Sequence, residues 1–143
     1  MSSENSDDTL APPPATPTTT VMLVEPDVLA RMVIAEYLRG CGYTIVEGVS
    51  ADDVFAVVDS GRKIDIVFSE VTLIGEVDGF ALSKQIRATH PNIDVILTQG
   101  VTSAAERAGR LCEDGPLDGP YHPQEVARRI NLLRERRRTS KKV

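Results

Sequence analysis

Apolar residues in this chain are grouped in two ways: short unbroken runs, and longer stretches in which they recur at every third or fourth position. The runs predict β-strands and the spaced stretches amphipathic helices. Strands are expected at Thr20–Val24, Tyr43–Glu47, Ile64–Phe68 and Ile93–Leu97, with a less regular fifth around Leu117. Between them, Leu29, Val33, Tyr37 and Leu38 keep helical spacing up to Gly40 and Gly42, glycine being the usual residue just past a helix end. Ser50 is placed to cap a second helix through Val54, Phe55 and Val58, stopped at Gly61. A third runs from Asp78 to Thr89 with Leu82 and Ile86 inward, and a fourth, short and alanine-rich, from Ser103 to Cys112. The fifth begins near Pro123, a residue suited to a first turn, and carries Val126, Ile130 and Leu133 on one face. Strands as uniformly apolar as Val21-Met22-Leu23-Val24 need cover on both faces. The predicted fold is α/β, a doubly wound five-stranded parallel sheet with helices on both faces and its ligand site at the carboxyl ends of the strands.

Composition narrows the organisation. Of 143 residues, 41% are hydrophobic, enough for one core, and only 4% are aromatic, which suits α/β layers. Residues 1–18 are rich in Ser, Thr, Asp and Pro, with Pro12, Pro13 and Pro14 in succession, and read as a disordered tail with little apolar surface to bury. The folded domain is expected over 19–137 and a basic tail over 138–143. The net charge of −5 conceals an asymmetry: half of the 16 Lys and Arg residues lie from Arg128 onward, where Glu135 is the single acid. Such a segment attracts nucleic acid, yet no aromatic residues interleave it, and a solvated helix end is the expectation. Cys41 and Cys112 lack metal-ligand spacing and are expected to be buried free thiols. The first residues do not read as a secretory leader and no apolar run has membrane-spanning length, so a cytoplasmic location without membrane contact is expected.

Chemistry should sit where the strands end. The first ends in Val24-Glu25-Pro26-Asp27; the third in Phe68-Ser69-Glu70, with Asp78-Gly79-Phe80 following; the fourth in Leu97-Thr98-Gln99-Gly100; the fifth runs into Gly119-Pro120-Tyr121. Pro26, Glu70, Thr98 and Gly119 are separated in turn by 44, 28 and 21 residues. With these motifs in this order, the sequence over 19–137 resembles the receiver domain of two-component response regulators. The resemblance implies a flavodoxin-like strand order 2-1-3-4-5. It also implies two acids after the first strand that bind magnesium, and an Asp after the third that accepts phosphate from a histidine kinase. A Ser or Thr after the fourth strand and a Lys before a Pro at the end of the fifth would then hold the phosphoryl group. Such transfer is chiefly positioning and charge compensation.

Carried over residue by residue, Glu25 and Thr98 match that pattern and the remainder departs from it. Glu70 stands at the acceptor Asp, Pro26 at the second acid and Gly119 at the Lys. The extra methylene of Glu70 displaces its carboxylate, and a misplacement of about 1 Å costs about a hundredfold in rate. Asp27 is the candidate to replace the missing magnesium ligand, but it lies one residue further along the chain. Pro116 occupies the place of the aromatic switch residue, three positions before the Lys, and has no ring rotamers to exchange. Two readings of Glu70 remain open. Either it reaches Thr98 and holds the domain in an active-like state, or it is a relic sharing an acidic corner with Glu25, where like charge raises one carboxyl's pKa.

The expected function is that of a single-domain response-regulator-like protein that is not phosphorylated and works by protein–protein interaction. It is expected to have no catalytic residues, as neither His90 nor His122 has a nucleophile near it. No cofactor is expected; Glu25 and Glu70 are the carboxylates that would meet a magnesium ion. The resemblance implies as partners a sensor histidine kinase, another response regulator, or a second copy docked through the fourth helix, fifth strand and fifth helix, a face that would include Leu111, Val126 and Arg129. The alternatives are a phosphoacceptor using an atypical residue, Glu70 or Ser69, and a nucleic-acid contact through the basic end.

Overall fold

The structure, a computed structural model, describes residues 18–141. Four parallel strands, β1 (Thr20–Val24), β2 (Thr44–Gly48), β3 (Ile66–Glu70) and β4 (Asp94–Thr98), form one sheet in the order β2-β1-β3-β4. Five helices connect or follow them: α1 (Val28–Gly40), α2 (Ala51–Asp59), α3 (Gly79–Thr89), α4 (Gly100–Glu113) and α5 (Gln124–Lys141). The sheet is covered on both sides, as the unbroken apolar strands require. On one side α1, α4 and α5 bury Val33, Ile34, Tyr37, Ala104, Ala108, Val126 and Ile130 against Val21, Leu23 and Phe68. On the other, α2 and α3 pack Val54, Leu82 and Ile86 against Met22, Val24 and Val67. Alternate residues of one strand thus serve opposite cores.

Local chemistry fixes the helix starts. Asp27 caps α1 by accepting from the amides of Leu29 (2.9 Å) and Ala30 (3.3 Å). Ser50 caps α2 by accepting from Asp53 N, and Asp78 caps α3 by accepting from Ala81 N at 2.8 Å. Helix α4 begins earlier than its alanine-rich stretch suggests, because Gly100 adopts φ 87° and turns the chain directly out of β4. The expected tail over 1–18 lies, Thr18 apart, outside the described residues, whereas α5 continues through Lys141 into the stretch read as a basic tail.

The fifth strand is not formed among the described residues, and the expectation of a 2-1-3-4-5 sheet is corrected to four strands. Between α4 and α5 the chain crosses instead over the C-terminal end of α1. Leu117, the expected strand centre, is 60% exposed. Its amide donates to Cys41 O at 3.1 Å. A Cβ on Gly40 would meet the Pro120 ring at 2.6 Å, and one on Gly42 the Pro116 ring at 2.4 Å, so both glycines let this crossing lie flat. Proline lacks the N–H that a ladder needs, and Pro116 and Pro120 frame Leu117 on either side.

The cysteines are also corrected. Cys41, the residue closing α1, and Cys112, in the last turn of α4, form a disulfide with Cα atoms 5.4 Å apart, and no free cysteine remains among the described residues. The helices are brought together by Tyr37, Tyr43 and Leu111, with the Tyr43 hydroxyl donating to Leu111 O at 2.6 Å. Sequence spacing carries no trace of a pairing made by tertiary packing.

Candidate functional site

The carboxyl ends of β1, β3 and β4 bring Glu25, Asp27, Glu70 and Thr98 to one edge of the sheet. Register places Glu70 directly beside Thr98 on the neighbouring strand. The Thr98 hydroxyl donates to Glu70 Oε2 at 2.6 Å, and the Gly100 amide donates to Glu70 Oε1 at 2.5 Å. Both carboxylate oxygens therefore have a donor. Gly100 is the first residue of α4, and its N-cap residue, Gln99, makes no side-chain cap bond. Glu70 thus acts from the next strand as the cap that Gln99 does not supply, its negative charge set against the positive end of the helix. An Asp at position 70, one methylene shorter, would not span the same gap on this backbone. Ser69 is fully buried and its hydroxyl is turned back to Glu70 O at 2.9 Å.

Glu25 is buried, 8% exposed, and accepts the Asp27 amide at 2.9 Å. Burial pushes its pKa up; the Asp27 amide opposes this, while the negative charges of Glu70 and Asp27 push the same way as burial. Asp27 faces the opposite balance. Burial again acts upward, but hydrogen bonds from Arg134 and from the amides of Ala30 and Leu29 outweigh it, holding the carboxyl below its usual range. Arg134, on α5, places both Nε (2.8 Å) and Nη2 on Asp27 Oδ2. Pro26, between the two acids, contributes no oxygen from its side chain. Arg31 Nη1 donates to Glu25 O at 2.8 Å and so braces this turn from α1.

Gly119 is remote in direction, if not in chain order. A Cβ there would approach Cys112 Sγ at 3.1 Å and Tyr37 Cε1 at 3.1 Å, so a side chain at this position is aimed at the α1–α4 contact. Pro116 lies on Gly42, at the same end of α1. The site therefore unites Glu25, Asp27, Glu70 and Thr98 and leaves Gly119 and Pro116 outside. Of the face expected for a second copy, Leu111 (8% exposed) and Val126 (0%) are core residues and only Arg129 is at the surface, stacked over Tyr121 at 4.6 Å. Sequence reasoning missed Arg134, which lies 107 residues from Asp27 in a run whose only visible feature is its positive charge. It also missed the cap on α4, for which Gln99, a poor N-cap residue, was the available sign.

Residues 21–130 match the response regulator receiver domain. The chain is 32% identical over 121 residues to the sensor kinase CckA of Brucella abortus, covering 82% of this chain and 13% of that protein. It is 34% identical over 113 residues to the DNA-binding transcriptional regulator NtrC of Salmonella typhimurium, covering 79% of this chain and 24% of that one. The chain thus spans about a quarter or less of the length of these relatives. Among solved structures, a response regulator receiver protein from Pseudomonas putida superposes with a TM-score of 0.56 at 17% identity over 82% of this chain and 99% of its own. A receiver domain protein from Clostridium thermocellum gives 0.54 at 17% identity over 85% and 98%. These likenesses speak for the fold, and the match over 21–130 for membership: the chain belongs to the response regulator receiver domain family of two-component signalling.

Proposed function

We propose that this receiver domain works as a protein-interaction module that takes no phosphoryl group. One observation carries the reading: Glu70, at the acceptor position, has both oxygens committed to Thr98 and to the first amide of α4. The bond to Thr98 favours the active-like reading over that of a relic, since an acid already occupies the hydroxyl that would meet a phosphoryl oxygen. The position of the neutralising Lys is a glycine whose side-chain direction leads into the Tyr37–Cys112 packing. Ser69, the other candidate acceptor, is sealed from any donor.

Nor do the acids fit the magnesium ion that phosphoryl transfer in this family requires. Magnesium demands near-octahedral oxygen ligands. Here Glu25 is tied to an amide and burial pushes its pKa up, disfavouring the charged form a metal needs, while Asp27 accepts from two amides and is paired with Arg134. The domain's partners in this reading are a sensor histidine kinase or another response regulator, bound without phosphate.

Intact mass spectrometry after incubation with magnesium and acetyl phosphate tests the proposal, with Glu70→Asp run in parallel. The native chain should keep its mass. A phosphoryl adduct on the native chain would overturn the reading; an adduct on the variant alone would assign the block to Glu70.

A further inference from the structure

Among the described residues there is no fifth strand, and the sheet ends at β4 with that edge unpaired. Asp94 N donates to Asp65 O and Thr98 O accepts from Val71 N, so Asp94, Ile96 and Thr98 turn their backbone groups toward β3. Backbone direction alternates along a strand. Val95 and Leu97 therefore point their N–H and C=O groups outward, and no described strand pairs with them. Alongside, on the α3 side of the sheet, runs a groove of about 490 Å3 lined by Phe80, Ser83, Lys84, Arg87 and Leu97. Phe80 is 61% exposed, a large apolar surface next to unpaired backbone.

The charge on the groove selects its occupant. Helix α3, with the sequence GFALSKQIRAT, has no acid, and neither Lys84 nor Arg87 forms an ion pair among the described residues. A second copy joined edge to edge would bring the same cations against these, and like charges repel. Exposed edges are otherwise shielded because they recruit strands, and recruitment by main-chain bonding with side-chain pockets for specificity is a general mode of peptide recognition.

We propose that the β4 edge docks an extended segment of a partner protein as an added strand, with an apolar side chain against Phe80 and Leu97 and carboxylates against Lys84 and Arg87. This deepens the reading of a phosphate-independent binding module by giving it a surface and a partner chemistry. The edge also ends at Thr98 and Gly100, the two donors to Glu70, so a docked strand abuts the acidic corner.

The test uses the full chain and a synthetic strand that alternates threonine with isoleucine and glutamate, compared with a version carrying lysine for glutamate. Binding is read by fluorescence anisotropy and by hydrogen exchange at the Val95 and Leu97 amides. The glutamate peptide should bind and slow both amides. The double variant K84E/R87E, both positions on an exposed helix face, should weaken it about tenfold, two surface ion pairs being lost, and reverse the preference between peptides. Leu97→Pro removes one outward N–H, a change edge strands tolerate, and should abolish protection at Val95 with the circular dichroism unchanged. Equal binding of both peptides, or none at millimolar concentration, would overturn the proposal. So would a dimer by sedimentation whose edge amides are already protected, which would assign the edge to a second copy. Mass measurement on the same sample keeps the two readings apart: an unphosphorylated chain without peptide binding removes the surface alone, and a phosphorylated chain that binds removes the phosphate-independent reading alone.

Discussion

Replacing Glu70 by alanine probes the cap on α4 most directly. The substitution deletes two acceptors at once: Gly100 N loses its partner, and the buried Thr98 hydroxyl falls back on Ser69 O, 3.5 Å away. A hydrogen bond to a charged group contributes about 1.5–3 kcal/mol and loss of an N-cap costs about 0.5–2 kcal/mol. Glu70 is half-buried and Gly100 exposed, so water takes over part of the second bond. The net loss should be about 2–3 kcal/mol at neutral pH. Glu70→Gln keeps an oxygen for Gly100 N and an amide that can donate to Thr98, and should lose about 1 kcal/mol. Urea denaturation followed by circular dichroism gives both numbers, and hydrogen exchange locates them. Faster exchange should be confined to the first turn of α4. An alanine variant as stable as the native chain, or one whose exchange rises equally in α1 and α3, would refute the assignment of Glu70 as the cap.

Asp27 is a carboxyl with a lowered pKa, so its contribution is fully present above the unfolded value of about 3.9 and is lost as pH falls through the folded value. Asp27→Asn retains a capping oxygen but not the pairing with Arg134. It should cost up to about 1 kcal/mol at pH 7, and the difference should shrink as pH falls below the unfolded value, as read by urea midpoints. Glu25 has the reverse sign. Its raised pKa gives stability that is present below the unfolded value and declines as pH rises through the folded one, so Glu25→Gln should raise the melting temperature at pH 7 and leave it unchanged near pH 3. For the cysteines, a loop closed over a separation of 71 residues restricts the unfolded chain by about 4 kcal/mol on the loop-entropy estimate. C41S/C112S should therefore unfold at markedly lower urea, and reductant should shift the midpoint of the native chain alone.

The strands were legible because each is a local pattern. Val21 to Val24 is apolar without interruption, and sheet burial makes such runs unmistakable. Their ends were less so, since Glu70 and Thr98 are polar residues that remain in the ladder for the sake of the site. The failures are non-local. Leu117 reads as strand by its own apolarity, but Pro116 and Pro120 withhold the amides a ladder would use, and the glycines that receive their rings are Gly40 and Gly42, at the far end of another helix. Leu111 and Val126 were placed on a surface by the family's usual face, whereas here α4 lies against α1 and α5 and buries both. In the site, the strand-end positions of Glu25, Glu70 and Thr98 could be read from the chain, because each closes a local apolar run. The cation opposite Asp27 could not, because Arg134 is separated from it by nearly the whole domain.

The disulfide has a mechanical side. Pulled from its two termini, the oxidised chain carries tension from β1 and α1 through the sulfur atoms of Cys41 and Cys112 directly into the end of α4 and α5. Strands β2, β3 and β4, with α2 and α3, lie inside the covalent ring and bear no load along their own backbone. At about 3.4 Å per residue, the ring withholds roughly 240 Å of contour length that appears only after reduction. The oxidised protein is thus a short tether in which the interior strand β1 takes the pull, while β4 and its open edge take none along their own backbone.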